Sequence, residues 1–118
     1  MKISALSILN TTARPNMPKI HLIEKESLVR CIDIDLKYYE TGYWAVSNSS
    51  ATQLINGDLF LHKSQNSPSF FGGKIISFRI VDLGEYKGRV AFVIEASMKH
   101  KGIYSGASGW GNEKKIEL

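Results

Sequence analysis

Residues 74–98, KIISFRIVDLGEYKGRVAFVIEASM, carry the strongest pattern in the chain. Ile76, Phe78 and Ile80 occupy alternate positions, and a second alternating run extends from Arg89 to Met98. A period of two is typical of a strand that buries one face. The connection GEYKG, residues 84–88, has the usual length of a hairpin loop. The stretch therefore predicts two strands, 74–83 and 89–98, that pair antiparallel.

Several shorter segments before and after this hairpin are also predicted to be β-strands. Gly42 interrupts one of them and predicts a bend or bulge there. In the segment 28–36, apolar residues at alternate positions predict one apolar face and one mixed face. The predicted additional strands are 1–9, 20–24, 28–36, 38–47, 59–62 and 114–118.

One helix is predicted between these strands. Ser49 or Ser50 can cap its start, and Gln53 lies three residues after Ser50, as a capping box requires. Apolar residues follow at helical spacing, and the Asn-Gly pair at 56–57 can end the helix in a left-handed turn. The alternative is a loop with a hairpin turn at that pair.

The length of 118 residues predicts a single domain, 1–118. Within it, residues 1–18 are expected to form a terminal strand or arm followed by a loop, and not a signal peptide, because no small-residue cleavage site follows the apolar stretch. Five to seven short strands with one or two short helices predict a mostly β (α+β) fold. We expect a small mixed, mainly antiparallel β-barrel, since closure removes exposed strand edges.

Composition narrows the setting of the protein. No run approaches the roughly 18 apolar residues that cross a bilayer, so no membrane partner is predicted. The only cysteine, Cys31, cannot form an internal disulfide, which favours a reducing, cytoplasmic location. It lies in the alternating run 28–36 and is expected to be a partly buried structural thiol and not a nucleophile.

The net charge of +4 is distributed unevenly. Residues 1–58 hold six Lys or Arg and six Asp or Glu, whereas residues 59–118 hold nine basic and five acidic residues. A positive field attracts phosphates and other anions. Ordinary solubility is the alternative explanation, because small domains often carry a net charge of this size.

The sequence favours binding over catalysis. His21, His62 and His100 are scattered and show no metal-ligand spacing, so no metal and no cofactor are predicted. Neither a glycine-rich phosphate loop nor a nucleophile elbow is present. A catalytic group of His62, Lys63 and Glu95 is conceivable, but no pattern supports it.

Residues 58–73, DLFLHKSQNSPSFFGG, are the chemically richest stretch. They predict a short strand, a polar turn stiffened by Pro68, and an aromatic pair before Gly72-Gly73. These glycines let the backbone turn sharply or approach another group closely. Phe70 and Phe71 either plug the core or line a pocket.

Two tryptophans are further candidates for stacking on a planar ligand. Trp44 precedes a run of hydroxyl and amide side chains at 47–50, and a purely structural role in the core is the alternative. Trp110 lies between glycines in the loop 102–111, which favours an exposed position.

The order of these segments resembles the PUA-like superfamily, and within it the EVE and ASCH-type domains. The resemblance covers residues 38–98 and rests on the strand GYWAVS, the helix SSATQLING, the strand GDLFLHKS and the following hairpin. Such domains are small mixed barrels that bind RNA or DNA, often at a modified or flipped-out base. The chain lacks the ASCH-type Gly-x-Lys-x-x-Glu signature, which leaves the subfamily open.

The resemblance implies recognition of a nucleic acid without turnover. A flipped-out base would stack on an aromatic side chain while hydroxyl and amide groups read its edge. The predicted pocket residues are Trp44, Ser47, Asn48, His62, Ser64, Ser69, Phe70, Phe71 and Trp110, and the predicted phosphate-binding residues are Lys63, Lys74, Lys99 and Lys101.

Two alternatives to nucleic-acid binding stay open. One is a protein-interaction or accessory module, of phage or defence type, in which Phe70, Phe71 or Trp110 forms an exposed patch for a partner or a second copy. The other is a small nuclease or hydrolase that uses His62 with Lys63.

Overall fold

The computed structural model describes residues 17–118, so the predicted strand at 1–9 and most of the loop before residue 19 lie outside the described residues. The described chain forms seven strands, one α-helix and a 3-10 turn. The elements are β1 (Lys19–Ile23), β2 (Val29–Asp33), β3 (Tyr38–Trp44), α1 (Asn48–Leu54), β4 (Asp58–His62), β5 (Ser69–Ile80), β6 (Val90–Ala96), the 3-10 turn (Met98–His100) and β7 (Lys114–Glu117).

The strands form one mixed sheet in the order β2-β3-β6-β5-β4-β1-β7. β1 pairs parallel with β4, and every other neighbouring pair is antiparallel. The predicted mostly β, mainly antiparallel fold is therefore confirmed. Within residues 17–118, β2 and β7 form the two edges and do not pair, so the sheet is not closed into the expected barrel.

The predicted hairpin is present as β5 and β6, which pair antiparallel from Gly73 opposite Ala96 to Ile80 opposite Val90. β5 begins earlier than expected, at Ser69, so Phe70 and Phe71 belong to a strand and not to a loop. A Cβ at Gly72 would overlap the Leu59 carbonyl oxygen. The close approach predicted for this glycine is thus an approach to the neighbouring strand.

The helix is also present, with a different cap. Ser47 is the N-cap, and its Oγ accepts a hydrogen bond from the Ser50 backbone N–H at 3.1 Å. Asn56 has a φ of 71°, the left-handed conformation expected after the helix. The helix buries Ala51 and Leu54 in the hydrophobic core.

β1 and β4 divide their side chains between two faces. Ile20, Leu22, Leu59 and Leu61 are all fully buried in the hydrophobic core on one face. Their neighbours on the other face are His21, Phe60 and His62. This second face is buried as well and carries the histidine cluster described below.

The segment 28–36 departs from its prediction. β2 ends at Asp33, whose Oδ1 accepts hydrogen bonds from the backbone N–H groups of Asp35 and Leu36, both at 3.1 Å. This local turn competes with continuation of the strand. Ile34 is 69% exposed, so the predicted apolar face is not buried. Cys31 is exposed on this edge strand, and its predicted partial burial was wrong.

None of the helices found in residues 17–118 combines the length and the apolar character that spanning a bilayer requires.

Candidate functional site

Two clefts lie at opposite ends of the central strands. We call the first the lysine cleft. It has a volume of about 740 Å³, within the range of small-molecule sites. It is lined by Ile34, Lys37, Tyr39, Asp58, Phe71, Lys74, Glu95, Ala96, Ser97, Met98, His100 and Lys101.

Tyr39 and Phe71 form the aromatic part of the lysine cleft. Their rings meet edge to face, with centroids 5.1 Å apart and an interplanar angle of 78°. Both side chains are half-buried and pack against the hydrophobic core. β3 and β5, which carry these two side chains, flank β6 on its two sides, so the aromatic pair spans that strand.

Three exposed lysines line the same cleft: Lys37, Lys74 and Lys101. Two acids accompany them. Glu95 lies opposite Lys74 in the β5–β6 register, and Asp58 contacts His100. The cleft thus combines cations for phosphate, aromatic rings for stacking, and carboxylates that can accept hydrogen bonds from N–H groups.

His100 joins the lysine cleft to the interior. Its Nε2 lies 2.9 Å from Asp58 Oδ1, and its ring stacks on Phe60 with centroids 5.1 Å apart. Its Nδ1 is buried and has no hydrogen-bond partner among the described residues. Because Nε2 faces the carboxylate and Nδ1 is out of reach of solvent, neither nitrogen is placed to act as a general base on a ligand in the cleft.

The other two histidines form a buried pair. His21 Nδ1 lies 2.8 Å from His62 Nε2, and His62 Nδ1 lies 2.9 Å from the Ser67 carbonyl oxygen. A carbonyl only accepts, so His62 Nδ1 carries the proton, and in the neutral ring its Nε2 accepts from His21 Nδ1. Phe60 stacks on His21 at 4.7 Å, and the edge of Trp110 meets His62 at 5.8 Å.

Burial keeps this pair neutral. It lowers the pKa of His21 to about 4, with smaller contributions from His62, Lys115 and Lys19. Burial also lowers the pKa of His62, against the effect of its bond to Ser67. His62 is 0% exposed and both ring nitrogens are engaged. It therefore does not line a pocket as predicted, and the geometry gives no support to a hydrolase built on it.

The serines predicted to read a base have structural roles. Ser69 Oγ donates to the His100 carbonyl oxygen at 2.5 Å and accepts from the Ile103 N–H at 2.9 Å. Ser64 Oγ and Ser67 Oγ are 2.7 Å apart within the turn that follows β4. Ser47 caps α1, and Asn48 is the first residue of that helix. Neither Ser47 nor Asn48 lies among the residues that line the lysine cleft.

The predicted phosphate-binding residues separate into two groups. Lys74 and Lys101 line the lysine cleft. The Lys63 ammonium lies 4.8 Å from the centroid of the Phe70 ring, a cation–π contact outside this cleft. Lys99 is exposed on the 3-10 turn and does not line the cleft either.

The two tryptophans lie away from the lysine cleft. Trp44 is 7% exposed, and its indole N–H donates to Thr41 Oγ1 at 3.2 Å. Trp110 is half-buried over the histidine pair and donates to Ser105 Oγ at 2.9 Å. Trp44 reaches the surface in the second cleft, here called the tryptophan cleft. That cleft is lined by Leu22, Ile23, Lys25, Tyr43, Trp44, Ala45, Gln65, Arg89, Gly111, Asn112, Glu113 and Lys114.

Sequence reasoning missed Lys37, Tyr39 and Met98 as lining residues of the lysine cleft. The adjacent tyrosines at 38–39 were a usable signal, because neighbouring strand residues face opposite sides of the sheet and one of the two rings must therefore lie on each face. Lys37 has a φ of 62° after the Asp33 turn, and no sequence pattern indicated that conformation.

Comparison of the chain with protein-family models, with curated proteins and with solved structures finds no match. The class of the protein is therefore set by its fold and clefts: a mostly β protein with an aromatic and cationic cleft at one end of its sheet.

Proposed function

We propose that this protein is a PUA-like nucleic-acid-binding module and that the lysine cleft receives a base together with its neighbouring phosphates. The observation that carries the proposal is the convergence of Tyr39 and Phe71 with three lysines on one cleft. The order β3, α1, β4 and the β5–β6 hairpin supports the PUA-like part. An exposed, unpaired Cys31 accords with a reducing, cytoplasmic setting, which we keep within the proposal.

In this account, the aromatic pair supplies the surface on which a base lies. Stacking on an aromatic side chain contributes about 1–3 kcal/mol per base and tolerates any base. Glu95 and Asp58 accept hydrogen bonds from exocyclic amino groups, and this directs selection towards bases that present such donors. A flipped-out or modified base would present both its ring face and its hydrogen-bonding edge to these groups.

The lysines supply affinity without base selection. If Lys37, Lys74 and Lys101 neutralise three phosphates of a single strand, affinity should fall about twentyfold between 50 and 200 mM salt. The experiment is a titration with single-stranded RNA, single-stranded DNA, and duplexes with and without modified bases, at both salt concentrations. Absence of binding to every one of these at low salt would remove the proposal.

A matched pair of aromatic variants locates the binding surface. Phe71→Leu removes a ring from the lysine cleft, whereas Phe70→Leu removes its neighbour, which lies under Lys63. Phe71→Leu should weaken binding about tenfold, and Phe70→Leu should leave it near the wild-type value. Equal losses in the two variants would place the ligand elsewhere.

Protein interaction is the second candidate function, and one observation favours it. Ile34 and Met98, 69% and 76% exposed, lie at the lysine cleft, so its rim is partly apolar. Phe70, Phe71 and Trp110, which the sequence suggested for such a patch, are all half-buried instead. A mass that rises with concentration in light scattering, and that Met98→Lys lowers, would support this alternative.

A further inference from the structure

The tryptophan cleft shares no lining residue with the lysine cleft and lies at the other end of the same strands. It is formed where β1 and β3 end and where β6 and β7 begin, with Trp44 on its wall. Its volume is about 660 Å³, within the range of about 300–1,000 Å³ that small-molecule sites occupy.

Three cations from separate parts of the chain converge on the tryptophan cleft: Lys25, Arg89 and Lys114. Arg89 Nη1 donates to the Tyr43 carbonyl oxygen at 3.2 Å, and Lys114 Nζ donates to the Ala45 carbonyl oxygen. These contacts hold both side chains in place and use one donor of each. A guanidinium has five N–H donors and an ammonium has three, so further donors are left for an anion.

The cleft contains one acid among these cations. Glu113 lies 3.5 Å from Lys25, so the four charged lining groups carry a net charge of +2. Because Lys25 and Glu113 are both exposed, their ion pair is weak and yields readily to a stronger anion. This balance favours a ligand with about two negative charges, as a phosphate monoester has near neutral pH.

An aromatic wall accompanies the cations. The Tyr43 ring stacks on Tyr86, with centroids 4.9 Å apart and an interplanar angle of 29°. The Tyr86 hydroxyl donates to Glu26 Oε1 at 2.9 Å, which anchors the outer ring. Tyr43 is half-buried and lines the cleft, so it is held in position for contact with a planar group.

We propose that the tryptophan cleft is a second ligand site that takes a nucleoside phosphate, with the phosphate among Lys25, Arg89 and Lys114 and the base against Tyr43. This ligand class combines the dianion and the planar ring that the cleft is built to hold. Its source is either a free nucleotide or the phosphorylated end of a strand. The inference does not depend on nucleic-acid binding in the lysine cleft.

The test is a chemical-shift titration of the ¹⁵N-labelled full chain. The probes are AMP, CMP, GMP, UMP, inorganic phosphate, and a tetranucleotide with and without a 5′-phosphate. Amide signals of Ile23, Trp44 and Glu113 should move, and shifts at Gly73 and Ala96, at the lysine cleft, would report any binding there separately. If a mononucleotide binds more tightly than the 5′-phosphorylated tetranucleotide, the ligand is a free nucleotide. The reverse order of affinity indicates the phosphorylated end of a strand.

Two variants of the tryptophan cleft and one control make the test decisive. Arg89→Gln and Lys114→Gln should each weaken nucleotide binding about tenfold, because each removes a charged hydrogen bond. Lys87→Gln changes the same charge at an exposed hairpin residue outside the cleft and should leave binding unchanged.

Three results would overturn the proposal. One is the absence of shifts at the tryptophan cleft with every probe at millimolar concentration. Another is inorganic phosphate binding as tightly as the nucleotides, since the base would then make no contact. The third is equal binding by the Arg89→Gln, Lys114→Gln and Lys87→Gln variants.

Discussion

His21 and His62 lie 41 residues apart in the sequence and 2.8 Å apart, Nδ1 to Nε2, in the fold. The folded-state pKa of His21, about 4, is below its ordinary value of 6.5. Between these pH values the unfolded chain binds more protons, so stability falls as the pH falls from 6.5 towards 4. The full loss for His21 is on the order of 3 kcal/mol. Urea unfolding should therefore give a lower free energy of unfolding at pH 4.5 than at pH 7.

The imidazole signals of the folded protein provide a direct check on this pair. NMR titration should show the His21 ring unprotonated down to about pH 4, with His62 also titrating below its ordinary range. A His21 pKa above 6 would contradict the neutral, hydrogen-bonded pair.

Ser69, like His62, was predicted to line a binding pocket, but its contacts in the structure are structural. Ser69→Ala removes the Oγ contacts to His100 and Ile103 and should lower the free energy of unfolding by about 2 kcal/mol. Ser64→Ala, in an exposed turn, should change it by less than about 0.5 kcal/mol. Denaturant unfolding of both variants compares them. If Ser69→Ala kept full stability and lost ligand binding, the original sequence prediction would stand.

At the scale of elements, the β4–β5 pair depends on a residue with no side chain. A methyl group at Gly72 would overlap the Leu59 carbonyl oxygen, which cannot move without breaking the ladder. Gly72→Ala should therefore destabilise the fold by about 3 kcal/mol. Gly111→Ala is the control, because its nearest neighbour would lie at 3.9 Å, an ordinary contact. Thermal unfolding of the two variants would refute this account if both melted at the wild-type temperature.

The sequence predicted the elements that are defined by interactions between residues close together along the chain. It did not predict those that depend on residues far apart in sequence. The β5–β6 hairpin and α1 were predicted because alternation, a loop of suitable length and a terminal Asn-Gly are local signals. The parallel β1–β4 pairing was not, because its register joins Lys19 to Asp58 across three other elements. The predicted length of β2 was wrong because the Asp33 side chain ends the strand with a turn. The residues of this turn continue the alternating pattern in the sequence, so the pattern did not reveal where the strand ends.

For the whole molecule, the sequence prediction combined residues that the fold separates. Trp44 lies at one cleft, while Phe71, Lys74 and Lys101 lie at the other. Composition and order along the chain do not define which end of a sheet a residue occupies, since that depends on strand direction and pairing. The uneven charge does not by itself locate the lysine cleft, because Lys74 and Lys101 come from the basic second half of the chain and Lys37 comes from the neutral first half.

We propose that nucleic acid binds in the lysine cleft. The most direct test of this proposal compares two double charge reversals, Lys74→Glu/Lys101→Glu within the cleft and Lys63→Glu/Lys99→Glu outside it, by affinity for the tightest-binding oligonucleotide at 50 mM salt. Both variants change the net charge equally. We expect a loss of about a hundredfold for the first and of less than about fivefold for the second. Equal losses in the two variants, or a larger loss in the second, would contradict it.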